Sequence, residues 1–194
     1  MYIRFFEGVQ LSKWRRKRSV MRRYDATAQM YDVRYSEEQE AKYKAALTGL
    51  NVAGAVLDVG CGTGLLFSHV AAQAEAVVGV DVSGKLLLQA KERAKSFRNA
   101  YVVQADADHL PFRNDYFAVV FAFTVLQNMP KPAETLLELK RAAKRNGAIV
   151  VTGLKKAFPL GSFEALLQQA GLSVVSIKDD AALKCYVAVS AQNS

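Results

Sequence analysis

Val56-Leu57-Asp58-Val59-Gly60-Cys61-Gly62-Thr63-Gly64 runs from an apolar stretch straight into three glycines set two residues apart. Glycine has no Cβ, so such a segment allows a tight strand-to-helix turn and close approach of a ligand to backbone. A helix is expected over 65–74, offering free N–H groups at its start to polar or anionic ligand atoms. Asp81 closes the next apolar run, 23 residues after Asp58. A carboxylate at that place can accept hydrogen bonds from both ribose hydroxyls of a nucleoside. The spacing is G-x-G-x-G, not the G-x-G-x-x-G of dinucleotide folds, and there is no G-x-x-x-x-G-K-[ST] of a P-loop.

Outward from this loop the pattern repeats. Short Val-rich runs occupy 55–59, 76–81, 101–105, 118–122, 148–152, 174–177 and 185–189, with helical patterns at 84–96, 132–145 and 162–170. The runs lack polar alternation, as strands covered on both faces do. Strand, helix and strand in series imply right-handed parallel crossovers and a doubly wound α/β sheet. The last two runs leave no room for a crossover helix and should form a hairpin, giving a Rossmann-like, seven-stranded, mostly parallel sheet with one antiparallel strand. Residues 24–50 read as one or two helices, with Ser36 as N-cap and Gln39 three residues on.

The first stretch, together with Val80-Asp81-Val82-Ser83, resembles the first two motifs of class I S-adenosylmethionine-dependent methyltransferases. Ala105-Asp106-Ala107-Asp108-His109-Leu110-Pro111-Phe112 is similar to their third motif, Phe117 to Met129 to their fourth, and Lys140 to Val151 to the segment after it. The likeness covers about residues 55–190 and is closest to the small methyltransferase-11-like branch. It implies S-adenosylmethionine as cofactor. Gly60, Cys61, Gly62 and Gly64 would bring backbone against its methionine part, with Asp58 ordering the ammonium. Asp81 and Val82 would meet the ribose, Asp106 and Ala107 the adenine, and Phe123 would lie where cofactor and acceptor meet. Tyr24-Asp25 and Tyr31-Asp32, seven residues apart, fall in a segment that caps the cofactor in similar enzymes, with Tyr31 as the lid residue.

Methyl transfer from a sulfonium is a displacement on an activated donor, so the protein mainly aligns the acceptor and excludes water. There is no Asn-Pro-Pro-Tyr or Asp-Pro-Pro-Tyr at the fourth motif, which speaks against an exocyclic amino acceptor. No cysteine follows it to attack a pyrimidine. Related enzymes often have a histidine where Gln127 stands; Gln127 and Asn128 can hydrogen-bond an acceptor but cannot shuttle protons, so no catalytic base is assigned. Two histidines and two cysteines, with no C-x-x-C or H-x-x-x-H, supply no zinc set.

The chain has 194 residues and a formal charge of +8, and its charge is unevenly placed. Residues 1–23 hold eight Lys or Arg against one acid, Glu7, a net of +7. This suggests residues 1–50 as a basic arm and cap helices, and 51–194 as the methyltransferase domain. A basic arm suits a polyanion, either RNA or an anionic membrane surface, although a solvated helix carries the same signature. The RNA reading, with tRNA foremost, uses Arg15, Arg16 and Arg18 on phosphates and Trp14 and Tyr24 for stacking. The Tyr-Asp segment also resembles that of small archaeal and eukaryotic tRNA methyltransferases, several of which need a small activator subunit. The alternative is a quinone, lipid or metabolite methyltransferase with a membrane-surface N-terminal helix. A cofactor-binding regulator without turnover is a third class. No apolar run is long enough to span a bilayer and the start lacks the order of a signal peptide; it is Arg-rich and amphipathic like a transit peptide, a reading that its low Ser content weakens. With Cys61 in the glycine loop and Cys185 in a strand, a cytoplasmic setting is expected.

Overall fold

The computed structural model describes residues 2–192, with side chains from residue 11 to 191. Seven strands form one sheet: β1 (Ala55–Val59), β2 (Ala76–Asp81), β3 (Ala100–Gln104), β4 (Phe117–Ala122), β5 (Ala143–Leu154), β6 (Leu172–Lys178) and β7 (Cys185–Gln192). Their order is β3-β2-β1-β4-β5-β7-β6. All neighbours are parallel except β5·β7 and β7·β6, so β7 is the antiparallel strand that the short final connection requires.

β1 is buried along its whole length because both faces are covered. On one face lie α2 (Tyr31–Leu47), α3 (Phe67–Val70) and α4 (Gly84–Ala94), which join Val56, Val77 and Phe121 through Tyr43, Ala46, Phe67, Leu87 and Ala90. On the other, α5 (Pro132–Ala142) and α6 (Leu160–Gln169) bury Leu136, Leu139, Phe163 and Leu167 against Leu57, Val120 and Ile149. Each such fully buried aliphatic or aromatic side chain contributes about 1.5–3 kcal/mol relative to exposure. The chain order reverses between β1 and β4. That places a crevice at the carboxyl ends of β1, β2 and β4, where ligands of open α/β sheets bind.

Two expectations fail. The helix over 65–74 shrinks to the four residues of α3, because its flanks close with tight three-residue bonds: Phe67 N–H to Gly64 O, His69 N–H to Leu66 O and Gln73 N–H to Val70 O. Ser36 is no N-cap: α2 starts five residues earlier, continuous with a 3-10 turn at Ala28–Met30, and Ser36 sits inside it. The basic segment is helical. It forms α1 (Tyr2–Thr27), and from Lys13 onward its inner face is tied across the crevice.

Candidate active site

The glycine loop is fixed by β2. Val80 O accepts from Gly60 N–H (2.7 Å) and Cys61 N–H (3.0 Å), and the Asp81 carboxylate accepts from Gly62 N–H (3.0 Å) and Ser83 N–H (2.8 Å). Gly64 N–H donates to Cys61 O. The N–H groups of Gly60, Cys61, Gly62 and Gly64 are therefore engaged within the protein. What the loop offers is closeness. Gly60 and Gly62 adopt φ of +71° and +58° and line a cavity; a Cβ on Gly62 would touch the Tyr31 ring at 3.5 Å, and one on Gly60 would strike Val125 at 2.5 Å.

The cavity gathers residues from all four motifs and from both N-terminal helices. Gly60, Gly62, Asp81, Val82, Asp106, Ala107, Phe123, Asn128 and Tyr31 line it, joined by Lys17, Val20, Tyr24, Thr124, Val125 and Met129. Other candidates lie elsewhere. Cys61 turns its sulfur into the core, where it would meet a Cβ on Gly79, and Gly64 packs on the Phe67 ring. Gln127 is beside the cavity rather than in its wall, its Oε1 buried without a partner. Arg15, Arg16 and Arg18 are exposed on the outer side of α1.

Asp58 lies behind the loop, 3% exposed. Burial, and then the neighbouring charge of Asp81, push its carboxyl up to about 8; no hydrogen-bonded donor among the described residues offsets this. Asp81 is raised by burial too, although the N–H groups of Ser83, Gly62 and Val82 pull it back in part. Asp81 in the cavity wall and Asp58 behind the loop are thus two carboxyls held above their ordinary range, an arrangement suited to a ligand that brings positive charge. Burial, reinforced by Tyr24, raises the Tyr31 phenol further, so it remains a neutral wall.

The Tyr-Asp repeat divides its labour. Tyr24 and Tyr31 face the cavity, their ring centroids 6.1 Å apart. The aspartates anchor them. Asp25 accepts from the Ser83 hydroxyl and Lys85 N–H at the start of α4, and Asp32 accepts from the Thr63 hydroxyl (2.6 Å) and the Arg93 guanidinium (2.6 Å). On α1, Lys17 reaches both oxygens of Asp106 at 2.7 Å and pairs with Asp108, while Lys13 pairs with Glu134 at 2.7 Å.

Two functional candidates escaped the sequence reading. Lys42 is 2% exposed; its Nζ donates to Glu38 Oε1 (2.8 Å) and to Thr124 Oγ1 (3.0 Å). Burial draws Glu38 upward, yet hydrogen bonds from Lys42 and Lys184 outweigh it and hold that carboxyl below its usual range. Thr124 has a φ of +63°, an outlier for a β-branched residue. The available signal was a lysine in the buried helical stripe Gln39, Lys42, Tyr43, Ala46.

A family model described as a methyltransferase domain matches residues 57–151. Phosphatidylethanolamine N-methyltransferase of Cereibacter sphaeroides is 30% identical over 158 residues, 77% of this chain and 75% of that protein. The chain belongs to the S-adenosylmethionine-dependent methyltransferases. Malonyl-[acyl-carrier protein] O-methyltransferase of Marinomonas sp. (strain MWYL1) is 31% identical over 144 residues, 72% of this chain; the methyltransferase spans only about half of that relative's length, 53%. The fold is shared with the solved complex of DhpI with S-adenosylhomocysteine, at a TM-score of 0.76 and 20% identity, covering 91% of this chain and 97% of that one. S-adenosylmethionine is thus the cofactor, and the cavity's acids and open glycine backbone fit a sulfonium nucleoside that also carries an ammonium.

Proposed function

We propose that this methyltransferase acts on a small acceptor with an apolar body, held beneath a lid made by residues 1–50 and against a catalytic domain of residues 51–194. The carrying observation is the lid: Val20 and Tyr24 of α1 and Tyr31 of α2 share one cavity wall with Gly60, Gly62, Phe123, Val125 and Met129. Bound there, the cofactor supplies an activated methyl group. Asp81 and Val82 would hold its ribose, Asp106 and Ala107 its adenine, and Gly60, Gly62 and Asp58 its methionine end. Phe123 and Tyr31 would exclude water from the transfer. The acceptors in the names of the two relatives, an acyl carrier thioester and a phospholipid, support a non-nucleic-acid substrate.

A second reading, RNA and in particular tRNA, with or without an activator subunit, is favoured by one feature. Arg15, Arg18 and Arg22 share the outer side of α1 with Trp14, which is 45% exposed, and no acid among the described residues pairs with these arginines. Lys13 and Lys17, however, are neutralised inward and lost to phosphate contacts.

Methyl-labelled cofactor incubated with the protein and, separately, with total RNA and a small-molecule and lipid extract distinguishes them. The first reading expects label in the extract, insensitive to Arg15→Gln, Arg18→Gln and Arg22→Gln together. Label in RNA, falling steeply with salt and with those substitutions, would establish the second.

A further inference from the structure

We propose that Thr124 binds an oxygen of the methyl acceptor, with Lys42 as a positioning residue behind it, so that the acceptor is of the class that meets the methyl group as an oxyanion: a phenolate, enolate or carboxylate. This rests on the small-acceptor reading above.

Lys42 is a charge that the fold does not need. Its neighbours in the buried stripe of α2 are Gln39, Tyr43 and Ala46, and Gln39 donates its amide to the Tyr31 hydroxyl and not to Glu38. A buried ammonium with a single carboxylate partner is poor value for stability, and such groups are retained where position or function requires them. What Lys42 reaches besides Glu38 is Thr124 Oγ1, at the end of β4.

All polar atoms of Thr124 are fixed. Its N–H donates to Thr152 Oγ1 (2.7 Å) and its carbonyl accepts from Asn128 Nδ2 (2.9 Å). An ammonium has only donors, so the Thr124 hydroxyl must be the acceptor in the contact with Lys42, and its own hydrogen is directed elsewhere. No protein group among the described residues accepts that hydrogen, and Thr124 lines the cavity between Phe123 and Val125. The left-handed backbone at φ +63° is strain retained at this one place in the wall. A hydroxyl backed by a cation is a strong donor toward negative charge. An amine acceptor that arrived as an ammonium would instead meet a like charge. Among the described residues, Lys184 shares Glu38 with Lys42, on its second oxygen, and Lys155, itself paired with Asp179, acts with Lys42 on Cys185.

The chemistry closes without a base. An acceptor bound as its oxyanion donates an electron pair to the methyl carbon, while the sulfonium sulfur keeps the pair of the breaking carbon–sulfur bond. No proton changes hands, in keeping with the lack of the histidine that the resemblance would place at Gln127.

The test uses the full chain saturated with S-adenosylhomocysteine, and 4-nitrophenol as probe, whose visible absorbance reports ionisation. We expect the phenolate to bind roughly tenfold more tightly than the phenol, the size of one charge-assisted hydrogen bond, so that bound probe ionises at lower pH than free probe. Thr124→Val and Lys42→Met should abolish the preference, and Lys42→Met should do so with affinity for S-adenosylhomocysteine unchanged; Thr124→Ser and Lys42→Arg should retain it. Failure of the loaded wild type to bind the probe overturns the proposal, as does a preference that survives both removals. A parallel loss of S-adenosylhomocysteine affinity in Lys42→Met would mark a structural role and overturn it as well. If S-adenosylhomocysteine did not bind the wild type at all, the cofactor site itself would be misplaced, and the proposal would fall with it.

Discussion

Lys17 holds both carboxylate oxygens of Asp106 at 2.7 Å, so a residue of the lid occupies the acid that the third motif offers to adenine. Lys17 is only 8% exposed, and its ammonium also pairs with Asp108. On the proposed assignment of Asp106 to the adenine amino group, cofactor and lid compete for one carboxylate, and binding loosens α1 before it settles.

Lys17→Met should accordingly accelerate association of S-adenosylhomocysteine in stopped-flow fluorescence, using Trp14 as reporter. Loss of this charge-assisted contact is worth about 1.5–3 kcal/mol to lid docking, and association on the wild type should quicken with added salt. Equal rates in the variant and no salt effect would show that the lid does not gate entry.

The state of Asp58 gives a second prediction. With its carboxyl pushed up to about 8, it is largely protonated in the free enzyme at pH 7. A ligand ammonium beside it favours the carboxylate, so binding at pH 7 should release a proton and affinity should rise toward pH 8. Calorimetry in buffers of different ionisation enthalpy reads this directly, and Asp58→Asn should abolish the release. The same linkage acts on folding. A carboxyl raised above its unfolded value of about 4 imposes no penalty below that pH, and an increasing one as pH climbs through the folded value. The free protein should thus lose stability between those limits, and cofactor should restore it.

Much of this architecture was legible beforehand. Val56 to Val59 and Ala76 to Asp81 are strands covered on both faces, where apolar composition leaves little choice, and the hairpin of β6 and β7 followed from the shortness of its connection. The lid was legible only in half. Tyr24 and Tyr31 were marked by spacing, yet that Asp25 and Asp32 are anchors depends on where Ser83, Thr63 and Arg93 stand in space. The role of Lys17 was hidden for the same reason: a basic run looks alike whether it faces solvent or Asp106. Lys42 and Thr124 lie 82 residues apart, and no local pattern joins them.

The glycines should separate by mechanism. Gly62→Ala suffers chiefly from its left-handed φ, about 1–2 kcal/mol, with the new methyl in ordinary contact with Tyr31. Gly60→Ala carries similar strain and also forces Val125 aside, adding about 1–3 kcal/mol. Thermal unfolding should show the larger Tm loss for Gly60→Ala, at about 2–4 °C per kcal/mol. The reverse order would contradict the packing described around the loop.

Asp25→Ala and Asp32→Ala each remove a tie between the lid and the catalytic domain. Hydrogen exchange should quicken across residues 11–47 while the central strands β1 and β4 keep their protection. Acceleration spread evenly over the sheet would mean that the lid is an integral part of the core rather than a closing element.

The central claim is that a sulfonium nucleoside lies along the glycine loop with its sugar on Asp81. Calorimetry of S-adenosylhomocysteine and of its analogue lacking both ribose hydroxyls, on the wild type and on Asp81→Asn, tests it as a closed cycle. The wild type should favour the complete ligand by about tenfold or more, one to two charge-assisted hydrogen bonds, and Asp81→Asn should no longer distinguish the two. Equal affinity of the wild type for both ligands, or a preference undiminished in Asp81→Asn, would contradict it.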